Sequence, residues 1–323
     1  MSVLDTLDAE ERALAPEAPA PTTAGAMKAM LTDERFSDPN WIYERKLDGI
    51  RCIAIRTGES VKLLSRNDLS QNARYPELAE ALEKERCDRF VVDGEVVAFD
   101  GSQTSFARLA QRGHHYVPVF YYVYDILWLD GHDVRKLPLR TRKRLLKQAL
   151  DFHGNVRWTP HRNRDGEQYF KEACRKGWEG LIAKRADSPY VTTRSRDWLK
   201  FKCEHGQELI VGGFTEPRGS RVEFGALLLG YYRDKQLHYA GKVGTGFDTE
   251  TLHDLGAQLR ELKRADPPFV QSASIKERDV TWVEPKLVAE IGFTEWTRDG
   301  RLRHPRFLGL RDDKAPSEVV REG

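Results

Sequence analysis

Between Trp41 and about Cys203, short apolar runs bounded by turn residues (63–65, 90–99, 119–129 and 181–184) alternate with stretches of helical spacing near 75–85, 140–151 and 167–176. That alternation predicts a mixed α and β domain. Beyond residue 203 the texture changes: fourteen of the 25 glycines fall in 204–323, around strand-like runs at 209–214, 226–232 and 288–294, with one helical stretch at about 249–263. Short strands separated by glycine-bearing turns predict a small β-barrel and place a boundary near 204–207. Residues 1–25, with six Ala and three Pro and no amphipathic period, read as a mobile acidic tail.

The length of 323 residues suits two domains, and 40% hydrophobic residues with seven Trp, eleven Tyr and fourteen Phe exclude a disordered chain. A charged fraction of 32% and a mean hydropathy of −0.61 exclude a bundle of membrane helices. The net charge of +2 conceals a polarity. Five acids against Arg12 leave residues 1–25 at −4 and the rest of the chain at +6. Cys52, Cys87, Cys174 and Cys203, spaced 35, 87 and 29 apart, lack the close pairs of zinc ribbons and redox motifs. Neither a structural metal nor a disulfide framework is expected, and the setting is expected to be intracellular and reducing.

Residues 41–49 read as a strand entering a turn, and the two-residue period puts Glu44, Lys46 and Asp48 on one face. A solvated surface strand also alternates charge. Within 91–97, Asp93 and Glu95 interrupt an apolar run, and burying them requires a cation, a hydroxyl or a turn at Asp93-Gly94. Glu179 and Lys184 bracket another strand. After a loop, Trp198, Lys200 and Lys202 share one face of a further strand, with Leu199, Phe201 and Cys203 on the other. Two lysines directed together suggest a phosphate between them; an edge strand guarded by lysine is the alternative.

Taken in order, Lys46-x-Asp48-Gly49, Arg51, Ser65-Arg66-Asn67, Asp93-Gly94-Glu95, Tyr124-Asp125, Glu179-Gly180, Lys200-x-Lys202 and Arg311-x-Asp313-Lys314 resemble the successive motifs of covalent nucleotidyltransferases. That superfamily comprises ATP-dependent DNA ligases, RNA ligases and mRNA capping enzymes. The resemblance covers about residues 26–315. The text around Glu179, around Ala240 to Phe247 and around Leu302 to Phe307 looks most like the ligase module of bacterial end-joining ligase D, here without polymerase or phosphoesterase modules.

The resemblance implies an α+β chain: an adenylation (nucleotidyltransferase) domain of antiparallel sheets flanked by helices over 26–205, an OB-fold β-barrel over 206–315 and a short tail at 316–323. It implies ATP as the AMP donor and Lys46 as the nucleophile that carries AMP, since lysine yields its proton when desolvated or placed beside other cations. By the same resemblance Glu44 lies near adenine, Arg51 and Glu95 near the ribose, Arg66 near the nucleotide or a DNA phosphate, and Tyr124 stacks where the family usually has Phe. Lys184 and Arg194 join the nucleotide contacts, Arg194 following Thr193 where relatives usually have Gly or Lys. Lys200 and Lys202 stabilise phosphoryl charge, Asp48 assists Lys46 or orients metal-bound water, and Glu179, with Glu95 through water, holds Mg²⁺ or Mn²⁺.

Arg311, Asp313 and Lys314 are expected against the β- and γ-phosphates during adenylation, delivered by a barrel domain that then swings away about a hinge near 204–207. A charge-mixed solvated tail is the other reading of that stretch. The expected activity is ATP-dependent sealing of nicked duplex DNA in repair, with double-strand-break joining beside a Ku-type end-binding protein as one setting. RNA ligation, GTP-dependent RNA capping and a catalytically silent binding module are the alternatives. A monomer in the bacterial cytoplasm, associated with the nucleoid and using salt-sensitive phosphate contacts, completes the expectation.

Overall fold

In the computed structural model the chain divides into two compact units, Met1–Cys203 and Glu204–Gly323. The structure describes residues 2–23, 25–113, 115–203, 205–217, 219, 222–270, 272 and 275–322. Glu204, at the proposed hinge, lies outside the described residues.

The first unit carries α1 (Ala9–Ala13), β1 (Lys28–Leu31), β2 (Trp41–Lys46), β3 (Ile50–Thr57), β4 (Ser60–Ser65), α2 (Pro76–Glu83), β5 (Arg89–Val97), β6 (Phe99–Asp100), β7 (Gln103–Thr104) and α3 (Phe106–Ala110). There follow β8 (Phe120–Leu129), β9 (His132–Asp133), α4 (Leu139–Ala149), β10 (Val156–Trp158), β11 (His161–Asn163), α5 (Gly166–Arg175), β12 (Gly180–Arg185) and β13 (Arg194–Lys202). Two sheets result, ordered β1-β13-β12-β2-β11 and β10-β8-β5-β3-β4, with β9 on the edge of β8. Most pairings are antiparallel; β1 with β13 and β10 with β8 are parallel.

The main core lies between the second sheet and its helices, where alternate residues such as Cys52 and Ala54 on β3 and Val92 and Val96 on β5 meet Leu78 and Leu82 of α2 and Leu145 and Leu146 of α4. Two glycines mark close approaches. A side chain at Gly94 would meet the Tyr121 ring and the Tyr122 carbonyl, each at 2.6 Å. Gly180, at φ 146°, has the Phe201 carbonyl oxygen where a β-carbon would stand.

The second unit carries β14 (His205–Thr215), β15 (Leu227–Arg233), β16 (Gln236–Val243), α6 (Thr249–Glu261), β17 (Lys263–Arg264), β18 (Val280–Val283), β19 (Val288–Phe293), β20 (Glu295–Trp296), β21 (Leu302–Arg303) and β22 (Arg306–Leu310). Its strands pair as β16-β15-β14-β18-β17, with β19 joining β14 to β22 and β20 paired with β21. The unit is OB-fold-like, but among the described residues the pairings form a branched path and not the closed barrel expected from the sequence.

The N-terminal segment, expected to be mobile, packs on the first unit. Asp8 and Glu11 close a capping box on α1, and Leu7 and Ala15 enter the main core. One of the acids that suggest a solvated tail finds partners on α4: Glu11 accepts from Arg144 at 2.8 Å and from Thr141 at 2.6 Å. Farther along, the Ala18 carbonyl accepts from the Trp128 indole at 2.7 Å. A low-complexity composition did not reveal that a basic helix and an apolar groove lie within its reach. The C-terminal residues also pack, with Val319 buried in the second unit and its carbonyl accepting from Tyr232.

Cysteine spacing misled as well. Cys174 on α5 and Cys203 after β13 form a disulfide at a Cα–Cα distance of 5.2 Å, whereas Cys52 and Cys87 are free. The 29-residue separation of Cys174 and Cys203 carries no pairing signal. The fold closes it by laying α5 against the sheet that ends in Cys203.

Candidate active site

The pleat of the first sheet gathers the charged positions. On β2, Glu44 lies opposite Ile182 and Lys46 opposite Gly180; on the far side of β12, Ile182 lies opposite Lys200 and Gly180 opposite Lys202. Directly opposed residues share a face. Glu44, Lys46, Lys184, Trp198, Lys200 and Lys202 therefore stand on one face, joined from β11 by His161 opposite Glu44. Leu181, Ala183 and Phe201 take the other face, where they pack with Tyr43 into an apolar cluster under α5. The alternation of charge on β2 thus belongs to a half-enclosed face, and β13 is flanked on both sides, not an edge strand.

At one end of this face Lys46 forms an ion pair with Glu179, the residue immediately before β12. Burial by itself lowers the lysine pKa, but Glu179, reinforced by Glu95 and Asp48, outweighs burial and raises it. The amine is thus held protonated and aimed at a carboxylate. Asp48 is itself fixed: one carboxylate oxygen accepts from the Phe106 backbone at the start of α3 at 2.9 Å, and its own amide donates to Thr104 at 3.1 Å.

At the other end Glu44 is buried and held by two cations, Lys143 of α4 and Lys184 of β12, the latter at 2.6 Å. Burial opposes its charge, but the two ammonium groups prevail and lower its pKa. Burial, aided by Lys143, lowers that of Lys184. The Lys184 amine lies 4.2 Å from the Tyr124 ring centroid and 3.9 Å from that of Trp198, whose rings meet edge to face at 6.1 Å. His161 is driven down to about 4 by burial and by Lys143. Its ring is neutral at physiological pH.

The second sheet supplies the opposing wall. Arg51 lies opposite Glu95 on β5, and its guanidinium reaches along the strand to a two-pronged contact with buried Asp93. Tyr190 donates to the same carboxylate at 2.7 Å. Asp93 therefore meets the cation and the hydroxyl that its burial requires, in mid-strand and not at a turn. Arg66 follows β4 in a turn where the Ser65 hydroxyl accepts from the Asn67 and Leu69 amides. Arg194 lies at the opposite end of β13 from Lys202, exposed, with its guanidinium on the Ala29 carbonyl at 3.0 Å.

In the second unit, Arg311 grips Asp313 through two hydrogen bonds of 2.8 and 2.9 Å and reaches Glu290 at 3.1 Å, while Lys314 pairs with Glu208 at 2.5 Å. Arg311 and Asp313 are almost fully enclosed, which excludes a solvated tail for this stretch.

The structure brings Glu44, Lys46, Asp48, Glu95, Tyr124, Glu179, Lys184, Lys200 and Lys202 to facing walls of the first unit. Sequence reasoning missed Lys143, Trp158, His161 and Tyr190. A lysine in a helix rich in Arg and Lys carries no local mark of burial, so only the tertiary contacts single it out.

The donor set suits a hard divalent ion. Glu179, Glu95 and Asp48 all act on the Lys46 charge, yet no group of three or more His, Cys, Asp or Glu side chains forms a metal cage among the described residues. Mg²⁺ and Mn²⁺ are commonly held in this way, by one or two carboxylates with water and substrate phosphate completing the sphere.

Comparison with known proteins shows the family. A family model described as "ATP dependent DNA ligase domain" matches residues 21–202, and one described as "ATP dependent DNA ligase C terminal region" matches residues 220–314. The chain is similar to "Multifunctional non-homologous end joining protein LigD" of Pseudomonas aeruginosa, 35% identical over 294 residues, covering 87% of this chain and 35% of that protein. Similarity to the protein of the same description from Mycobacterium bovis is 38% over 287 residues, covering 87% and 37%. The chain thus spans about a third of the length of these relatives. Among solved structures, "mycobacterial DNA ligase D complexed with ATP and MES" is 34% identical with a TM-score of 0.67, covering 92% of this chain and 98% of that one. From the facing sheets, the ordered motifs and these matches, the chain belongs to the ATP-dependent DNA ligase family.

Proposed function

We propose that this chain seals nicks in duplex DNA that carry a 5′-phosphate and a 3′-hydroxyl, using ATP as the adenylate donor. The observation that carries this reading is the Lys46 amine, held beside Glu179 on a sheet face shared with Lys200 and Lys202. In the first step Lys46 Nζ attacks the α-phosphorus, a P–N bond forms, and pyrophosphate leaves with the broken P–O bond. Before that attack the Lys46 ammonium must give one proton to Glu179 or onward to water to free the lone pair, and a second Nζ proton leaves to water once the P–N bond has formed. The 5′-phosphate oxygen of the nick then takes AMP from Lys46, and attack by the 3′-hydroxyl expels AMP as the phosphodiester forms.

Lys200 and Lys202 would offset charge on the phosphoryl oxygens. Glu44 and Lys184 would read adenine beside Tyr124, with Arg51 and Glu95 at the ribose, Arg66 near the nucleotide or a DNA phosphate, and Arg194 among the nucleotide contacts. Mg²⁺ or Mn²⁺ held by Glu179, with Glu95 through water, would neutralise developing phosphoryl charge. Arg311, Asp313 and Lys314 would face the β- and γ-phosphates during the first step, and motion near 204–207 would then admit DNA. The relatives are named for non-homologous end joining, which supports a break-repair role here; a Ku-type end-binding partner, a monomeric state and a bacterial cytoplasmic setting near the nucleoid are further parts of the same proposal. No helix among the described residues is long and apolar enough to cross a membrane.

The test is incubation with labelled ATP or GTP, then with nicked DNA or nicked RNA. ATP labelling and DNA sealing are expected, both lost in Lys46→Ala. A GTP-only adduct, or sealing confined to RNA, would overturn the reading.

A further inference from the structure

Lys143 is a lysine with almost no exposure, and its amine is spent on two neighbours already on the candidate nucleotide face. It donates to Glu44 Oε1 on β2 and, at 3.1 Å, to the Tyr124 carbonyl on β8. Its ammonium also lies 4.6 Å from the Trp158 ring centroid. The preceding residue of α4, Arg142, is committed elsewhere, to Asp125 and to the Leu137 and Ser188 carbonyls. Lys143 is thus the α4 residue that ties the two sheets together where Glu44 and Tyr124 meet.

The two Glu44 oxygens are divided, Oε1 to Lys143 and Oε2 to Lys184. A carboxylate has about four acceptor directions, so one cation on each oxygen fixes its plane and leaves lone pairs to receive a further donor. An amino group can occupy such a direction; a carbonyl oxygen is repelled. A buried polar reader discriminates strongly only when its orientation is held.

We propose that Lys143 is a positioning residue for nucleobase selection, orienting the Glu44 carboxylate so that it accepts from the 6-amino group of the donor purine. The proposal rests on the reading of Glu44 as the adenine contact.

The experiment measures Lys46 adduct formation by the full chain with ATP and with purine riboside triphosphate, which lacks the 6-amino group. Wild type, Lys143→Met, Lys143→Arg, Lys143→Gln and Glu44→Gln are compared, with thermal melting as a check on folding. Lys143→Met is expected to raise KM for ATP about 10-fold with little change in kcat, to change the analogue far less, and so to collapse the preference for ATP. Lys143→Arg should restore most of it. Equal losses for both nucleotides would show a merely structural role and overturn the proposal, as would an unchanged preference. Should Lys143→Met fail to fold, Lys143→Gln, which keeps one donor, must weaken the preference or the proposal falls. If Glu44→Gln loses the preference while the Lys143 variants keep it, Lys143 alone is wrong. If wild type has no preference, or Glu44→Gln keeps it, the reading of Glu44 fails and takes the proposal with it.

Discussion

Lys46 and Glu179 form an ion pair between the last residue of β2 and the residue that precedes β12, so the candidate nucleophile is held protonated by a candidate metal ligand. The two roles oppose each other. While Glu179 faces the amine it raises the lysine pKa, and any cation that draws Glu179 away removes that hold.

Glu179→Gln should therefore lower the Lys46 pKa. The neutral amine reacts with acylating reagents, so the pH midpoint of Lys46 acylation, read by peptide mass spectrometry, should fall. The 18% exposure of the Lys46 side chain leaves it open to a small reagent. An unchanged midpoint would show that Glu95 and Asp48 hold the proton without Glu179.

His161 sets a pH dependence of stability. Its folded pKa of about 4 lies below the ordinary value of 6.5, so between these values the unfolded chain binds more protons. Stability from this group is full above about pH 6.5 and is lost as pH falls towards 4. Denaturant midpoints measured across that window should decline in wild type and decline less in His161→Gln.

Arg142 and Asp125 form a fully enclosed ion pair at 2.8 Å that also satisfies two backbone carbonyls. Removing one partner strands the other, so Arg142→Ala should cost about 3–5 kcal/mol in equilibrium unfolding. Arg185→Ala breaks an exposed, solvent-screened pair with Asp187 and should leave unfolding stability close to wild type. Similar losses for the two variants would contradict the burial contrast.

The N-terminal segment should contribute stability instead of trailing free. Leu7 is buried against the main core, and Leu7→Ala should lower unfolding stability by about 2–3 kcal/mol. A melting temperature equal to wild type would restore the reading of a detachable tail.

Much of the candidate site was legible in the chain because its chemistry is written locally. A two-residue period places Glu44 with Lys46, and Lys200 with Lys202, whatever the rest of the fold does. Buried acids in an apolar run demanded partners, and Asp93 has them in Arg51 and Tyr190. The partners themselves were not legible, because Tyr190 lies 97 residues from Asp93 and Lys143 lies 99 from Glu44.

The sequence by itself determined the element types, the mixed α and β class with an OB-fold-like second unit, the shared faces of β2 and β13, and the ordered motifs that mark the family. Propensity, side-chain period and motif spacing act over a few residues and need no knowledge of the tertiary fold. Only the tertiary structure decided that the acidic N-terminal segment packs on basic α4, that Cys174 meets Cys203, and that the strand pairings of the second unit follow a branched path among the described residues. It also decided that Glu179 faces the Lys46 ammonium and raises its pKa instead of lowering it. Each of these depends on charges, thiols or backbone donors distant in the chain meeting within a few ångströms, and no local pattern encodes such a meeting.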